Sequence, residues 1–277
     1  MPDRASILIT GASSGIGAYC ARQLAQDGWD VMATARKDAD LASLERDGIA
    51  AFHLDYCEPD SIARLVDDVL SRTDGRLDAL FNNGAHGQPG AVEDLPVDAL
   101  RLQFEANLFG WHDLTRRVVP LMREQGHGRI VHCSSILGLV PMPWRGAYCA
   151  SKHALEALAL SMRMELAGSG VHVSLIEPGP IRSKFTANAL IHARRHIDLE
   201  GSIHAERYRR QIAKLERGGT RSRHKLDPDA VYAVLIKALT VQKPKPHYLV
   251  TTPAKVGALL KRLLPPAMLY DFLAARG

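Results

Sequence analysis

The sequence predicts a doubly wound parallel α/β sheet, and three observations lead there. Short apolar runs alternate with helix-period segments from the first residues onward. The first of these runs breaks into a glycine-rich turn that opens directly into a helix. Central runs such as Val171-His172-Val173-Ser174-Leu175-Ile176 are almost continuously apolar, as strands buried on both faces must be. Repeated strand–helix alternation needs right-handed crossovers, which puts helices on both faces of a parallel sheet.

Taken in order, strands are expected over 6–10, 30–35, 50–54, 77–81, 129–133 and 171–176. Gly28 stops the helix expected over 16–27. Apolar spacing through Ile62, Leu65, Val66 and Val69 gives a helix over 59–71. Further helices are expected over 98–124, 150–167 and 229–239, with a seventh strand over 247–250. The alternation breaks after Pro178-Gly179-Pro180, where a helical, basic, His-rich stretch intervenes before that last strand. No repeat, low-complexity tract or Pro/Gly/Ser linker divides the chain. Residues 1–277 therefore read as one domain, with an insertion over 181–226 and an amphipathic tail over 253–277.

Composition narrows the class. The chain has 277 residues, 46% hydrophobic and 23% charged, enough to bury a core without disulfide or metal staples. Cys20, Cys57, Cys133 and Cys149 show no C-x-x-C pairing and no clustering with histidine, which suits a reducing compartment. No stretch is long and apolar enough for a membrane span, and Ile7–Ile9 is too short for a signal segment. A cytoplasmic location is expected. The net charge of +5 is concentrated between His192 and Lys225, in Arg194, Arg195, Arg207, Arg209, Arg210, Lys214, Arg217, Arg221, Arg223 and Lys225. This stretch reads as a solvated helical face or as ground for an anionic partner. Nucleic acid is not expected, because no aromatic-interleaved basic motif accompanies the charge. His53, His86, His112, His132, His172 and His247 show no metal-ligand spacing, and no metal is expected. A Ser/His hydrolase, weighed because of the many histidines, is set aside.

The first strand leads into Thr10-Gly11-Ala12-Ser13-Ser14-Gly15-Ile16-Gly17. Glycines let the backbone turn tightly against a pyrophosphate, while free N–H groups and the helix dipole attract its charge. The spacing is G-x3-G-x-G, not the commoner G-x-G-x-x-G dinucleotide fingerprint. In this form the turn resembles the cofactor motif of the short-chain dehydrogenase/reductase family, a Rossmann-type fold. Further matches follow in the family's order, over roughly residues 5 to 185. Asn82-Asn83-Gly84-Ala85 resembles Asn-Asn-Ala-Gly with its last two residues exchanged, and Ser135, Tyr148 and Lys152 reproduce S-x12-Y-x3-K. The resemblance implies that Asp55 contacts the adenine. It further implies that Asn83, Gly84, Pro178, Gly179, Ile181 and Ser183 line the cofactor groove with Tyr148 and Lys152.

A dinucleotide enzyme specific for NAD usually ends its second strand with an acid for the ribose 2′-hydroxyl. Here Ala35 stands at that point, followed by Arg36 and Lys37. A guanidinium binds a 2′-phosphate bidentately, and Ser13 can add a hydroxyl. NADP(H) is expected over NAD(H).

Hydride chemistry also needs a proton handler and a group that holds the substrate oxygen. An ammonium near a phenol favours the phenolate, and Tyr148 and Lys152 are four residues apart on one expected helix. The resemblance implies that Tyr148 is the general acid/base and that Ser135 bonds the carbonyl oxygen. By the same resemblance Lys152 holds the nicotinamide ribose and tunes Tyr148, and Asn107 orients a water; the alternative for Asn107 in a helix is a structural polar contact.

The segment Gly138-Leu139-Val140-Pro141-Met142-Pro143-Trp144 is expected to line an apolar pocket, and the 181–226 insertion to cover it. The segment from Ala147 to Glu156 is similar to hydroxysteroid and retinol dehydrogenases, so a lipophilic carbonyl or alcohol is the expected substrate. The family resemblance further implies a homodimer or homotetramer. The tail sets Val256, Leu259, Leu260, Leu263 and Leu264 beside Lys255, Lys261 and Arg262, for packing on its own fold, on a partner subunit or on a membrane surface. Two competitors remain: a catalytically silent NADP(H)-binding regulator, and an epimerase or dehydratase, which the short C-terminal part disfavours.

Overall fold

Seven strands in the order β3-β2-β1-β4-β5-β6-β7, every neighbouring pair parallel, form the sheet of a computed structural model that describes residues 4–216 and 224–275. The strands are β1 (Ser6–Ile9), β2 (Asp30–Ala35), β3 (Ala50–His53), β4 (Ala79–Asn82), β5 (Gly128–Cys133), β6 (Val171–Pro178) and β7 (His247–Val250). The expected doubly wound sheet is the fold found. Every residue of β1 and β4 is buried, as a central strand with helices on both faces requires. Because the strands are parallel, all their C-terminal ends lie along one edge, and the order reverses between β1 and β4. Ligands of such sheets bind in the crevice outside that reversal.

The crossovers are α1 (Gly15–Gln26), α2 (Asp38–Arg46), α3 (Pro59–Arg72), α4 (Val97–Phe104), α5 (Gly110–Gln125) and α6 (Gly146–Glu165). After β6 come α7 (Phe185–His196), α8 (Ala205–Glu216) and α9 (Asp229–Thr240); α10 (Thr252–Leu263) and α11 (Pro266–Ala274) follow β7. Helix α1 packs beside α9, and α3 beside α5. One core cluster centred on Ile7, Leu8, Ile9, Phe81 and Trp111 joins sheet and helices.

Two expectations are revised. The helix expected over 98–124 is interrupted by a π-helical turn, Glu105–Phe109, between α4 and α5. Such bulges re-aim side chains, and this one carries Asn107. Helix α2 was not expected, because it buries only Leu44 and so has no apolar stripe to betray it. Its signal is electrostatic: Asp38 and Asp40 in its first turn and Arg46 in its last oppose the helix dipole.

Beyond β6, Ala91, Ile197 and Tyr208 form a second small cluster, with Trp144, Leu95 and Leu199 against it. The Tyr208 hydroxyl donates to Asp94 at 2.6 Å and accepts from Ala91 N at 2.8 Å, tying α8 to the loop after β4. The basic residues Arg217, Arg221 and Arg223 lie outside the described residues. In the tail, Leu269 and Leu273 pack on Val140, with Ile136 and Leu260 beside them. Val256, Leu259 and Leu263 remain exposed.

At the opposite edge of the sheet, Asp78 clamps three strands. Its Oδ2 accepts from Ser6 N at 2.7 Å and Ser6 Oγ at 2.9 Å, and its Oδ1 lies 2.7 Å from His127 Nε2. Burial pushes this carboxyl up, but the bonds from Ser6 and His127 outweigh it and hold the group below its ordinary value. A depressed native carboxylate contributes stability above its unfolded pKa and loses it as the pH falls through the native one. Asp78→Ala is expected to cost about 1–3 kcal/mol in urea unfolding at pH 7. The gap to the wild type should close as the pH drops below about 4.

Candidate active site

The cofactor-facing end of the site begins with a clasp between the β1–α1 turn and the end of β4. Thr10 is fully buried; its hydroxyl donates to Phe81 O and accepts from Asn83 N at 2.9 Å and Gly84 N at 3.2 Å. Asn83 Nδ2 returns bonds to Thr10 O at 3.1 Å and Gly11 O at 3.2 Å. Gly11, at φ +65°, lies so close to Gly84 that an added Cβ would stand 2.3 Å from the Gly84 Cα. At Gly17 an added Cβ would stand 2.4 Å from Gly11 O. The turn therefore needs these glycines for closeness as well as conformation. Ser14 caps α1 through its backbone, its side chain makes no capping bond, and the first turn of α1 carries no acid. The amides there are left to an anion, so the donor set fits a pyrophosphate.

Arg36 follows the last residue of β2, and Gly11 N and Ala12 N both bond Thr34, two residues before it. Its guanidinium is 68% exposed and stands 3.9 Å from Asp55 Oδ2. Lys37 is exposed and precedes α2. Ser183 reaches the turn from the other side: a Cβ on Gly15 would meet the Ser183 Cβ at 2.9 Å. Pro178 ends β6, Gly179 N bonds Val250 O, and Ile181 bridges to Leu226.

Ser135, Tyr148, Lys152 and Asn107 converge at the ends of β5 and α6. The Ser135 hydroxyl accepts from Leu137 N at 3.1 Å, fixing a short 3-10 turn, and lies 3.4 Å from Pro178 O. Lys152 is 0% exposed; its Nζ donates to Cys133 O at 2.9 Å and sits 4.1 Å from the Trp111 ring centre. Burial lowers its pKa to about 8, opposed by Cys133 and Glu156. Asn107 is fully buried: Oδ1 accepts from His86 N at 3.1 Å, and Nδ2 donates to His86 O at 2.9 Å. Its Nδ2 also reaches Ser151 Oγ at 3.4 Å, and Ser151 bonds Tyr148 O.

The family described as short chain dehydrogenase matches residues 5–193. The chain belongs to that family. It is thus an oxidoreductase of the CH–OH group that works with a nicotinamide cofactor. It is 40% identical over 268 residues to the uncharacterized oxidoreductase YbbO of Escherichia coli strain K12, covering 97% of this chain and 93% of that one. It is 33% identical over 261 residues to human 17-beta-hydroxysteroid dehydrogenase type 1, covering 90% and 78%. A solved actinorhodin polyketide ketoreductase with NADPH superposes with a TM-score of 0.74 at 27% identity, covering 90% and 96%.

Two site details depart from expectation. Lys152 was expected to make the Tyr148 phenol more acidic. In this arrangement burial holds that phenol above its ordinary value, the neighbouring Cys133 adds to this, and only the Ser135 hydrogen bond opposes it. The cause is geometric. Nζ points at the Cys133 carbonyl, 5.8 Å from the Tyr148 ring centre, while Phe185 of α7 packs edge-on over that ring at 5.3 Å. The 138–144 segment divides its allegiance: Val140 packs on the tail, while Trp144 meets His204 and Tyr208 edge-on, with Arg207 4.3 Å above its ring.

Sequence reasoning missed Phe185, Trp111 and His86. The His86 ring stacks on His192 of α7 at 4.1 Å, and burial pushes its pKa down to about 3. It also missed Glu156, Glu177 and His247, whose ligand atoms lie within 4.8 Å of one another. Their separation along the chain leaves no spacing to read. Thr10→Val should leave two amides at the clasp unsatisfied and cost about 2–5 kcal/mol in denaturant unfolding, with Thr10→Ser close to wild type.

Proposed function

We propose that this chain is an NADP(H)-dependent oxidoreductase that interconverts a lipophilic carbonyl and its alcohol. The carrying observation is the convergence of Ser135, Tyr148 and Lys152 past the C-terminal end of β5, linked to the glycine turn through Trp111 and Gly84. The cofactor, when bound, supplies or accepts the hydride at the substrate carbon. The chain's own residues do the rest. The α1 amides and Ser13 hold phosphate, and Asn83 and Gly84 keep the turn in place. Arg36, without a carboxylate at position 35, favours the 2′-phosphate. Asp55 faces the adenine side.

In the reducing direction the carbonyl oxygen accepts from Ser135 Oγ, and Tyr148 Oη gives its proton to that oxygen as the carbon is reduced. A buried phenol kept neutral is suited to donate. In the oxidising direction the phenolate must form, and withdrawal of Phe185, which relieves the burial of the ring, would lower its cost. Asn107 acts behind Lys152, holding the His86 backbone and Ser151 in register.

The same reading makes 1–277 one domain, with residues 181–226 as the cover over the substrate, bearing Phe185, and 253–277 as a tail. The apolar Phe185 ring over Tyr148 supports a lipophilic substrate, in keeping with the steroid and polyketide enzymes named above. The four cysteines are free thiols, which supports a reducing cytoplasmic setting. A homodimer or homotetramer, with the exposed tail face against a partner subunit or a membrane, completes the reading.

The test is turnover with NADPH on ketones, retinal and steroids, followed by absorbance at 340 nm. Tyr148→Phe is expected to lower kcat by about 100- to 10,000-fold with NADPH binding retained. Tight NADPH binding without turnover on any carbonyl would point instead to a silent regulator. Arg36→Ala is expected to weaken NADPH binding by about 10- to 100-fold and leave NADH binding nearly unchanged, measured by fluorescence titration.

A further inference from the structure

Behind the lysine lies a second polar cluster with no part in the chemistry above. Glu156 is one helical turn past Lys152 on the same face of α6, and its carboxylate side chain is 8% exposed. Neither of its oxygens has a hydrogen-bond partner, and the buried Ser134 hydroxyl beside it has none either. Facing it from β6 is Glu177, 0% exposed, whose Oε1 accepts from His247 Nδ1 at 2.5 Å and whose Oε2 accepts from Tyr248 N at 3.0 Å. His247 Nδ1 also stands 3.7 Å from Glu156 Oε2. Gly138 closes the group: an added Cβ would lie 2.9 Å from Ser134 Oγ and 3.0 Å from Glu156 Cγ.

With the His247 imidazolium bonded to Glu177 and the Lys152 ammonium turned to the Cys133 carbonyl, two carboxyls buried this close cannot both ionise without a large cost. His247 neutralises Glu177, which its hydrogen bond favours, and its side chain is the part of the cluster that reaches solvent. A cation could in principle balance the second charge, since Glu, Glu and His form a ligand set. The direct His247–Glu177 bond already closes the gap between two of those three ligands, so a proton on Glu156 is the balance the geometry favours.

Resting on the reading of Lys152 as part of the reacting centre, we propose that Glu156 is a positioning residue for that lysine. The Glu156–Glu177–His247 group stores one exchangeable proton, and its release places a carboxylate behind the ammonium that keeps it charged as the pH rises. Burial, and then the Glu177 charge, push Glu156 up to about 7, with Ser134, His247 and Lys152 opposing. Lys152 is pushed down to about 8, and Glu156 is one of the two groups that resist this. Loss of the proton from Glu156 therefore acts on the lysine in the direction that keeps it charged. The titratable groups facing the pair are Cys133 and His132 on β5, Tyr148 on α6, Glu177 on β6 and His247 on β7. Arg163 acts on His247 and lowers it. The 3-10 turn Ile136–Gly138 contributes no charge.

The test is the pH profile of kcat/KM for carbonyl reduction with NADPH, in the wild type, Glu156→Gln and Glu156→Asp. The alkaline limb is expected about one pH unit lower in E156Q, roughly a tenfold rate loss above it, and to return in E156D. A uniform drop in rate with the limb in place would mean a merely structural role and overturn the proposal. Carboxyl resonances of 13C-glutamate-labelled intact protein give a readout free of turnover. One is expected to titrate near neutral pH, to vanish in E156Q and to move up in H247Q, where a cation is lost. No such resonance would overturn the proposal even in an active enzyme. A wild type without any turnover would strike the enzymatic reading and leave this titration standing. Stoichiometric zinc or manganese retained through dialysis by the wild type but not by E156Q would overturn the stored proton in favour of a bound cation.

Discussion

The structure at the site depends on one constraint: a lysine ammonium held with no exposure to water. A charge so placed must be compensated by whatever surrounds it. For Lys152 the compensation is the Cys133 carbonyl and the face of Trp111. Both partners are themselves fixed from elsewhere. Cys133 is the last residue of β5, paired with Ile176 of β6, and the Trp111 indole donates to Gly84 O at 2.7 Å. Gly84 is held in turn by Thr10. Through three hydrogen bonds and one ring face, the lysine is therefore coupled to the glycine turn and to the centre of the sheet.

That coupling explains why a parallel sheet suits the chemistry. The backbone and hydroxyl groups that hold the turn, and Ser135, lie just past the C-terminal edges of strands, where groups leaving the ladder are free to bond elsewhere. Thr10 follows β1, Asn83 follows β4 and Ser135 follows β5. The central strands β1 and β4 are buried along their whole length. The π turn adds the one displacement that straight helices could not supply, setting Asn107 against the His86 backbone while Gly110 clears Tyr56.

Sequence patterns revealed the architecture because burial on both faces leaves long apolar runs, and because glycines forced by close approach are conspicuous. The Ser135–Tyr148–Lys152 set was legible through its spacing along one helix and the preceding strand. What stayed hidden was whatever depends on elements meeting across the sheet. Glu156, Glu177 and His247 come from α6, β6 and β7, and nothing in their order along the chain hints at contact. Lys152's orientation was hidden for a related reason. Four-residue spacing puts it on the face of Tyr148, but the Cys133 carbonyl and Trp111, supplied by other elements, decide where Nζ points. The 138–144 segment was read as pocket lining because it is apolar, yet apolarity does not distinguish a pocket from a docking surface for the tail.

The contrast between floor and cover follows from the same electrostatics. The floor is charged, buried and cross-braced, so any rearrangement would strand an ammonium or an amide. The contacts that bring α7 down on it are of another kind: Phe185 against Tyr148, His86 stacked on His192, and His196 on the Gln88 side chain at 2.8 Å. These join neutral groups, since burial pushes the His86 imidazole far below neutral pH and lowers His192 in the same direction. Separating neutral rings costs far less than separating buried ions, because no uncompensated charge is left behind. On the proposed function α7 lifts from Tyr148 to admit a carbonyl, and the contacts that hold it there are the cheapest to part. The groups that must keep their geometry through that movement are the ones least able to leave.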